Sequence, residues 1–203
     1  MTEILLVFLT AVASEICVSV FNARGPFIIG ATAFWVGYVI VRWWRDPGAL
    51  RRWGFGTENL GPASAAAGGV FVLGSAGMLA WAALWGGGVR PVPWGHVLPV
   101  LVLYPAWGLV QQFLLDALVA RNLLRWLSPV AVVVLTAGLF GMVHLPAWTL
   151  VSLSFAVALA WVPIYLRWRN LWPLGVCHGW LGAVTYFVIL HRDPWAEFTA
   201  VLR

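Results

Sequence analysis

The sequence predicts an all-α, polytopic transmembrane bundle of about seven spans, some short or broken, and three observations carry that prediction. Of 203 residues, 62% are hydrophobic and 9% charged, whereas a soluble domain of this size carries roughly a quarter of its residues charged. Mean hydropathy is +0.89. Seven apolar runs approach the roughly 20 residues a helix needs to cross a hydrocarbon core about 30 Å thick. A chain so poor in charge cannot clothe a globular surface in polar groups, but it can face lipid.

The runs are Ile4–Phe21, Phe27–Val41, Ala63–Trp85, Val97–Val119, Val130–His144, Leu150–Leu166 and Leu171–Leu190. The first follows Glu3 with no basic residue ahead of it, so it reads as a retained span and not as a secretory signal. Between the second and third lies RWWRDPGALRRWGFGTENLGP, the only long polar stretch. Pro105, within the fourth run, removes a backbone donor and predicts a kink or break. The fifth and sixth runs are short and joined by HLPAW, which suits a tilted or partly re-entrant pair. No internal repeat or linker divides the chain. It reads as one membrane domain over 1–203, with N-terminal spans in 4–100 and a polar core in 101–190.

The net charge of +5 comes from twelve arginines and no lysine against seven acids. In a soluble protein a pI near 10.0 would point to nucleic acid; here the arginines sit at span ends, and nucleic acid is not an expected partner. One side holds Arg42, Arg45, Arg51, Arg52, Arg121, Arg125, Arg167 and Arg169; the other holds Arg24, Arg90, Arg192 and Arg203. The excess of basic residues on cytoplasmic loops then puts the N-terminus in the cytoplasm and the C-terminus outside, and a bacterial inner membrane is the expected location. Trp43, Trp44, Trp85, Trp94, Trp126, Trp168 and Trp172 fall at span ends, as interfacial anchors do. Cys17 and Cys177 lie within apolar runs and form neither a disulfide framework nor a metal-type spacing.

Ionisable and amide groups inside spans are costly, face the protein interior and mark function. The set is Glu15, Gln111, Gln112, Asp116, His144 and His178, and all but Glu15 lie in the C-terminal half. At about 100° per residue, Gln112 and Asp116 share a helix face, while Gln111 points about a quarter-turn away. The two glutamines can equally serve as interhelical glue. Asp116 lacks a same-face arginine, so its partner lies on another helix or its ionisation is perturbed. His144 closes the fifth run and His178 lies two turns into the seventh. A neutral imidazole donates from one nitrogen and accepts on the other, so it can orient or deprotonate water. His96 and His191 sit at span ends and read as interfacial. Glu15, outside this block, is either hydrogen-bonded structure or part of a cavity wall.

In these residues the C-terminal half resembles the CAAX prenyl protease and bacteriocin-processing (CPBP, or Abi) family of intramembrane endopeptidases. That family carries Glu-Glu-x-x-x-Arg, then Phe-x-x-x-His, then His followed four residues later by Asn or Asp. The first motif reads here Gln111-Gln112-Phe113-Leu114-Leu115-Asp116. The second is intact as Phe140-Gly141-Met142-Val143-His144, and the third begins at His178 but ends in Gly182. The resemblance covers about Tyr104 to Gly182, including the approach YLRWRNLWPLGVCHG. It implies metal-free activation of water for peptide hydrolysis, with no cofactor, at a site of His144, His178, Gln111, Gln112 and Asp116. Phe140 and Trp180 are the implied substrate contacts.

The departures shape what can be expected. An amide cannot accept a proton as a carboxylate can, and losing a general base costs about 10² to 10⁴ in rate. Three readings follow. In the first, the chain hydrolyses a membrane peptide or prenylated protein, with an imidazole or Asp116 as base. In the second, it binds such a peptide or a lipid without cutting it. In the third, it acts on an isoprenoid lipid with Asp116 as acid. A metal bound by Asp116, His144 and His178, or a Cys177 nucleophile, is a lesser alternative. Asp116 stands about 6 Å along the helix from the usual acid, too far unless the helix is irregular there. The site converges only if the Pro105 break, the HLPAW turn or tilt brings Gln111 and His144 level.

Overall fold

A computed structural model of the protein describes residues 2–21 and 23–201. Arg203 and the side chain of Arg24, both counted above toward the outer side, lie outside what it describes. The described residues form helices and no strands. In chain order these are α1 (Thr2–Glu15), α2 (Arg24–Arg45), α3 (Ala49–Trp53), α4 (Leu60–Leu84), α5 (Trp94–Gln112), α6 (Arg121–Leu123), α7 (Pro129–Met142), α8 (Trp148–Trp168), α9 (Leu171–Val184) and α10 (Pro194–Val201). Three π-helical stretches extend them: Ile16–Val20 after α1, Phe113–Ala120 between α5 and α6, and Thr185–Ile189 after α9.

Among the described residues, five helices are long and apolar enough to cross a membrane: 25–45, 60–84, 94–123, 148–168 and 171–189. α7 is apolar but shorter. The polytopic α-bundle is therefore the architecture, and the chain is an integral multi-pass membrane protein. α1, read above as a full span, is helical but is not one of the five.

Pro105 does not break the helix. The helix runs through both Pro99 and Pro105 to Gln112. The irregularity comes later, where i→i+5 winding takes over at Phe113–Ala120, a bulge type that concentrates at functional sites.

α5 packs most extensively on α9, and glycines permit it. A Cβ on Gly108 would stand 2.4 Å from the Gly175 carbonyl oxygen, one on Gly175 2.6 Å from Leu109 Cα, and one on Gly179 2.4 Å from the Tyr104 carbonyl carbon. Without side chains at those positions the two backbones touch, as in small-residue crossings of membrane helices.

The long polar stretch is folded and not a free loop. α3 buries Trp53 and Ala49. The chain then turns at Gly54, where a φ of +96° and the 2.7 Å that would separate a Cβ from the Arg169 carbonyl oxygen exclude a side chain. Asn170 donates to the carbonyls of Gly56 (3.0 Å) and Glu58 (2.9 Å), and the Leu171 amide donates to Gly54 (2.8 Å). These bonds clamp the stretch onto the α8–α9 turn. Above them Trp35, Trp53 and Phe55 surround the buried Phe113 ring at 5.1–6.1 Å.

Candidate active site

α7 ends in tight turns, and that ending aims His144. The His144 amide bonds to the Gly141 carbonyl, three residues back. The Phe140 carbonyl is therefore not taken by the amide four residues on, and the His144 ring takes it instead: Nδ1 donates to it at 2.8 Å. A carbonyl only accepts, so Nδ1 carries hydrogen and the lone pair of the neutral ring lies on Nε2. The ring thus folds back toward the α7 N-terminus, as helical side chains do.

His178 is held from three sides. Gln112 Nε2 donates to its Nδ1 at 2.7 Å. Trp161 of α8 stacks on its ring at 5.0 Å between centroids and 23° between planes. Phe140 meets it edge to face at 5.4 Å, and the same Phe140 ring meets His144 at 5.1 Å. One phenyl ring therefore touches both imidazoles. With Nδ1 accepting, the hydrogen of neutral His178 lies on Nε2. The two histidines carry opposite tautomers, His144 with a basic Nε2 and His178 with a donating one.

Their levels match because α7 is short. Phe140 lies eleven residues from the start of α7 and Gln112 eleven residues from the end of α6, at the same arginine-bearing end. A break in α5 at Pro105 is not needed.

Gln111, Phe140, His144, Trp161 and His178 line one cavity of about 1150 Å³, walled by α2, α4, α5, α7, α8, α9 and α10. Its walls are mainly apolar, including Ile29, Val36, Leu103 and Val157. Beyond the histidines, its charged lining groups are Arg192 and Glu197, which pair at 2.6 and 2.8 Å. At the rim, His96 Nδ1 near the start of α5 donates to Asp193 at 2.5 Å, and Asp193, outside the spans, also accepts from the amides of Trp195 and Ala196 at the start of α10. Partial burial works against the Asp193 charge, but the Ala196 amide and the His96 ring outweigh it and hold the carboxyl below its ordinary range.

Other sequence candidates fall elsewhere. Gln112 is fully buried behind His178 and reaches the cavity only through that ring. Asp116, in the π stretch, is fully buried and does not line the cavity, and neither carboxyl oxygen has a hydrogen-bond partner among the described residues. The acid is therefore not grouped with the two imidazoles. Among the described residues no three His, Cys, Asp or Glu side chains are grouped to hold a metal. Trp180 turns its indole to the Leu101 carbonyl (3.0 Å) and packs on Phe71, off the cavity wall. Cys177 and Glu15 are not part of that wall either. His191 Nε2 donates to the Gly86 carbonyl at 3.2 Å, so it is a loop contact.

Trp161 escaped the sequence reading because fifteen tryptophans look like an interfacial belt; its mid-span position in α8 was the available signal. The glycine crossing escaped too, although Gly175 and Gly179 stand four apart on either side of His178, the spacing of close membrane-helix contacts.

Residues 92–184 match the family described as type II CAAX prenyl endopeptidase Rce1-like. No curated protein and no solved structure matches the chain. The matched stretch opens two residues ahead of α5 and closes on the last residue of α9, so it contains both imidazoles, the glutamine pair and the glycine crossing that joins them. Over that stretch, somewhat less than half of the chain, the protein is similar to the Rce1-like family of type II CAAX prenyl endopeptidases.

Proposed function

We propose that the protein is a membrane-embedded endopeptidase that hydrolyses a peptide bond of a prenylated protein or membrane peptide, with His144 as base and His178 as hydrogen-bond donor. The opposite tautomers of the two rings across Phe140 are the observation that carries this reading. Water in the cavity gives a proton to His144 Nε2 as its oxygen attacks the scissile carbonyl carbon. The carbonyl oxygen gains negative charge, and the Nε2 hydrogen of His178 faces it, with the Gln111 amide as a second donor. When the C–N bond breaks, the protonated His144 returns its proton to the leaving amine. Donors fixed in a water-poor site and aimed at developing charge are the largest usual contribution to such a step. No carboxylate is required, which suits a chain whose motif positions hold Gln111 and Gln112.

The apolar walls support a hydrophobic substrate segment, and the Gln-for-Glu exchange favours one competing reading, a homologue that binds such a segment without cutting it. Protein reconstituted in lipid and incubated with farnesylated C-terminal peptides and transmembrane peptides separates the two. Hydrolysis requires a cleaved product in mass spectra, and His144→Ala should lower its rate by about 10² to 10⁴. Peptide that binds yet stays whole across the panel would leave the binding reading.

A further inference from the structure

Three acceptor atoms behind His178 lack a donor: Gln112 Oε1 and both carboxyl oxygens of Asp116, each fully buried and without a hydrogen-bond partner among the described residues. Gln112 and Asp116 stand four residues apart where the helix passes from α to π winding. That is about one turn, which keeps them on a common face. The neighbouring Tyr165 supplies no donor, since its hydroxyl donates to the Trp53 carbonyl at 3.0 Å. Buried polar atoms are paired in nearly all proteins, and a set made only of acceptors is one proton short.

We propose that Asp116 is a positioning residue: as an un-ionised carboxylic acid it donates to Gln112 Oε1 and thereby holds the Gln112 amide with Nε2 toward His178. The assignment rests on the proposed role of His178 as the donating imidazole and extends it one residue further back. The chain of bonds runs from the Asp116 hydroxyl to Gln112 Oε1, from Gln112 Nε2–H to His178 Nδ1, and from His178 Nε2–H into the cavity. Each donor behind the His178 ring then has an acceptor. An ionised Asp116 would do the reverse: it would draw the amide N–H₂ to itself, turn Oε1 toward His178, require hydrogen on Nδ1 and leave Nε2 as a second base. Asp116 occupies the place where the motif has an arginine, so the proton on the carboxyl stands in for a cationic donor.

The test reads protonation directly and needs no turnover. Wild-type protein in lipid should show, at neutral pH, the infrared carbonyl stretch of an un-ionised carboxylic acid that disappears in Asp116→Asn. Nitrogen-15 spectra of labelled histidine, with His178 assigned through His178→Asn, should show an unprotonated Nδ1 and a protonated Nε2. An ionised Asp116, or hydrogen on His178 Nδ1, overturns the assignment. Should a peptidase assay respond, Asp116→Leu should lose about 10- to 100-fold in kcat with KM little changed, while Asp116→Asn, whose amide can donate to Oε1, keeps activity near wild type. An equal loss in both variants would also overturn it. The spectra stand whether or not any peptide is cleaved, so failure of the proposed reaction and failure of the Asp116 role are separately visible.

Discussion

Gln112 differs from the motif's glutamate by the exchange of one oxygen for an NH₂, and that exchange reverses a hydrogen bond. A glutamate carboxylate can only accept from His178, which would put hydrogen on Nδ1 and leave Nε2 basic. The glutamine donates to Nδ1 at 2.7 Å and leaves Nε2 as the donor. Gln112→Glu is therefore expected to lower kcat about tenfold or more with KM little changed, since second-layer partners of catalytic groups are worth that much. A steady-state comparison on one cleavable peptide checks it; a rise in kcat would mean that His178 works as a base. Among single residues, the two histidines and Phe140 were readable from motif spacing alone. The isolation of Asp116 was not. Helix-face arithmetic says which residues share a side, but not which neighbour that side meets. Asp116 is fully buried and does not line the cavity.

The crossing of α5 and α9 sets the distance between Gln112 and His178, and glycines set the crossing. Gly179 has no room for a side chain, its Cβ falling 2.4 Å from backbone, whereas a Cβ on Gly182 would meet only the Tyr104 ring at 3.8 Å. Gly179→Val should therefore destabilise the protein by about 1–3 kcal/mol or more and abolish cleavage. Gly182→Ala should leave the unfolding midpoint nearly unchanged. Equal midpoints for the two variants in a thermal melt in detergent would mean that the crossing does not hold the site.

α10 offers a pH-dependent element. The Asp193 carboxyl is lowered in the folded state, so its contribution is fully present above the unfolded value of about 3.9. It fades as pH falls through the folded value below that. Amides of α10 should lose hydrogen-exchange protection in that acid window and not on the alkaline side. Protection that is flat through it would show that Asp193 does not anchor the helix. At this scale the spans were legible because hydropathy reports on lipid contact. The unbroken α5 and the π stretch were not, because proline inside a membrane helix is tolerated when neighbours satisfy the freed carbonyls.

Over the whole molecule, the parts that assemble the cavity come from helices far apart in sequence. α2 and α10 close sides that the matched stretch 92–184 leaves open, with Ile28, Thr32, Trp195 and Phe198 among the lining residues. The polar stretch 46–59 clamps the α8–α9 turn from the end that carries Arg51, Arg52 and Arg169, and so fixes the start of α9 and with it His178. That clamp was invisible in the sequence, where a run of Arg, Gly and Asn reads as a solvated loop. Its hydrogen bonds reach more than a hundred residues along the chain. The bundle and its half-buried histidines could be inferred from composition and spacing; the depth match that joins them required the true lengths of α7 and α9.

The proposed activity depends on water, and not a side chain of the protein, attacking the peptide carbonyl under control of His144. The most direct measurement is hydrolysis of a farnesylated peptide by reconstituted protein in ¹⁸O-enriched water, followed by mass spectrometry of the fragments. The expected result is one heavy oxygen in the new carboxylate of the upstream fragment, formed by wild-type protein and lost in His144→Ala. A bound but uncut peptide, or cleavage that persists unchanged without the His144 imidazole, would contradict the account.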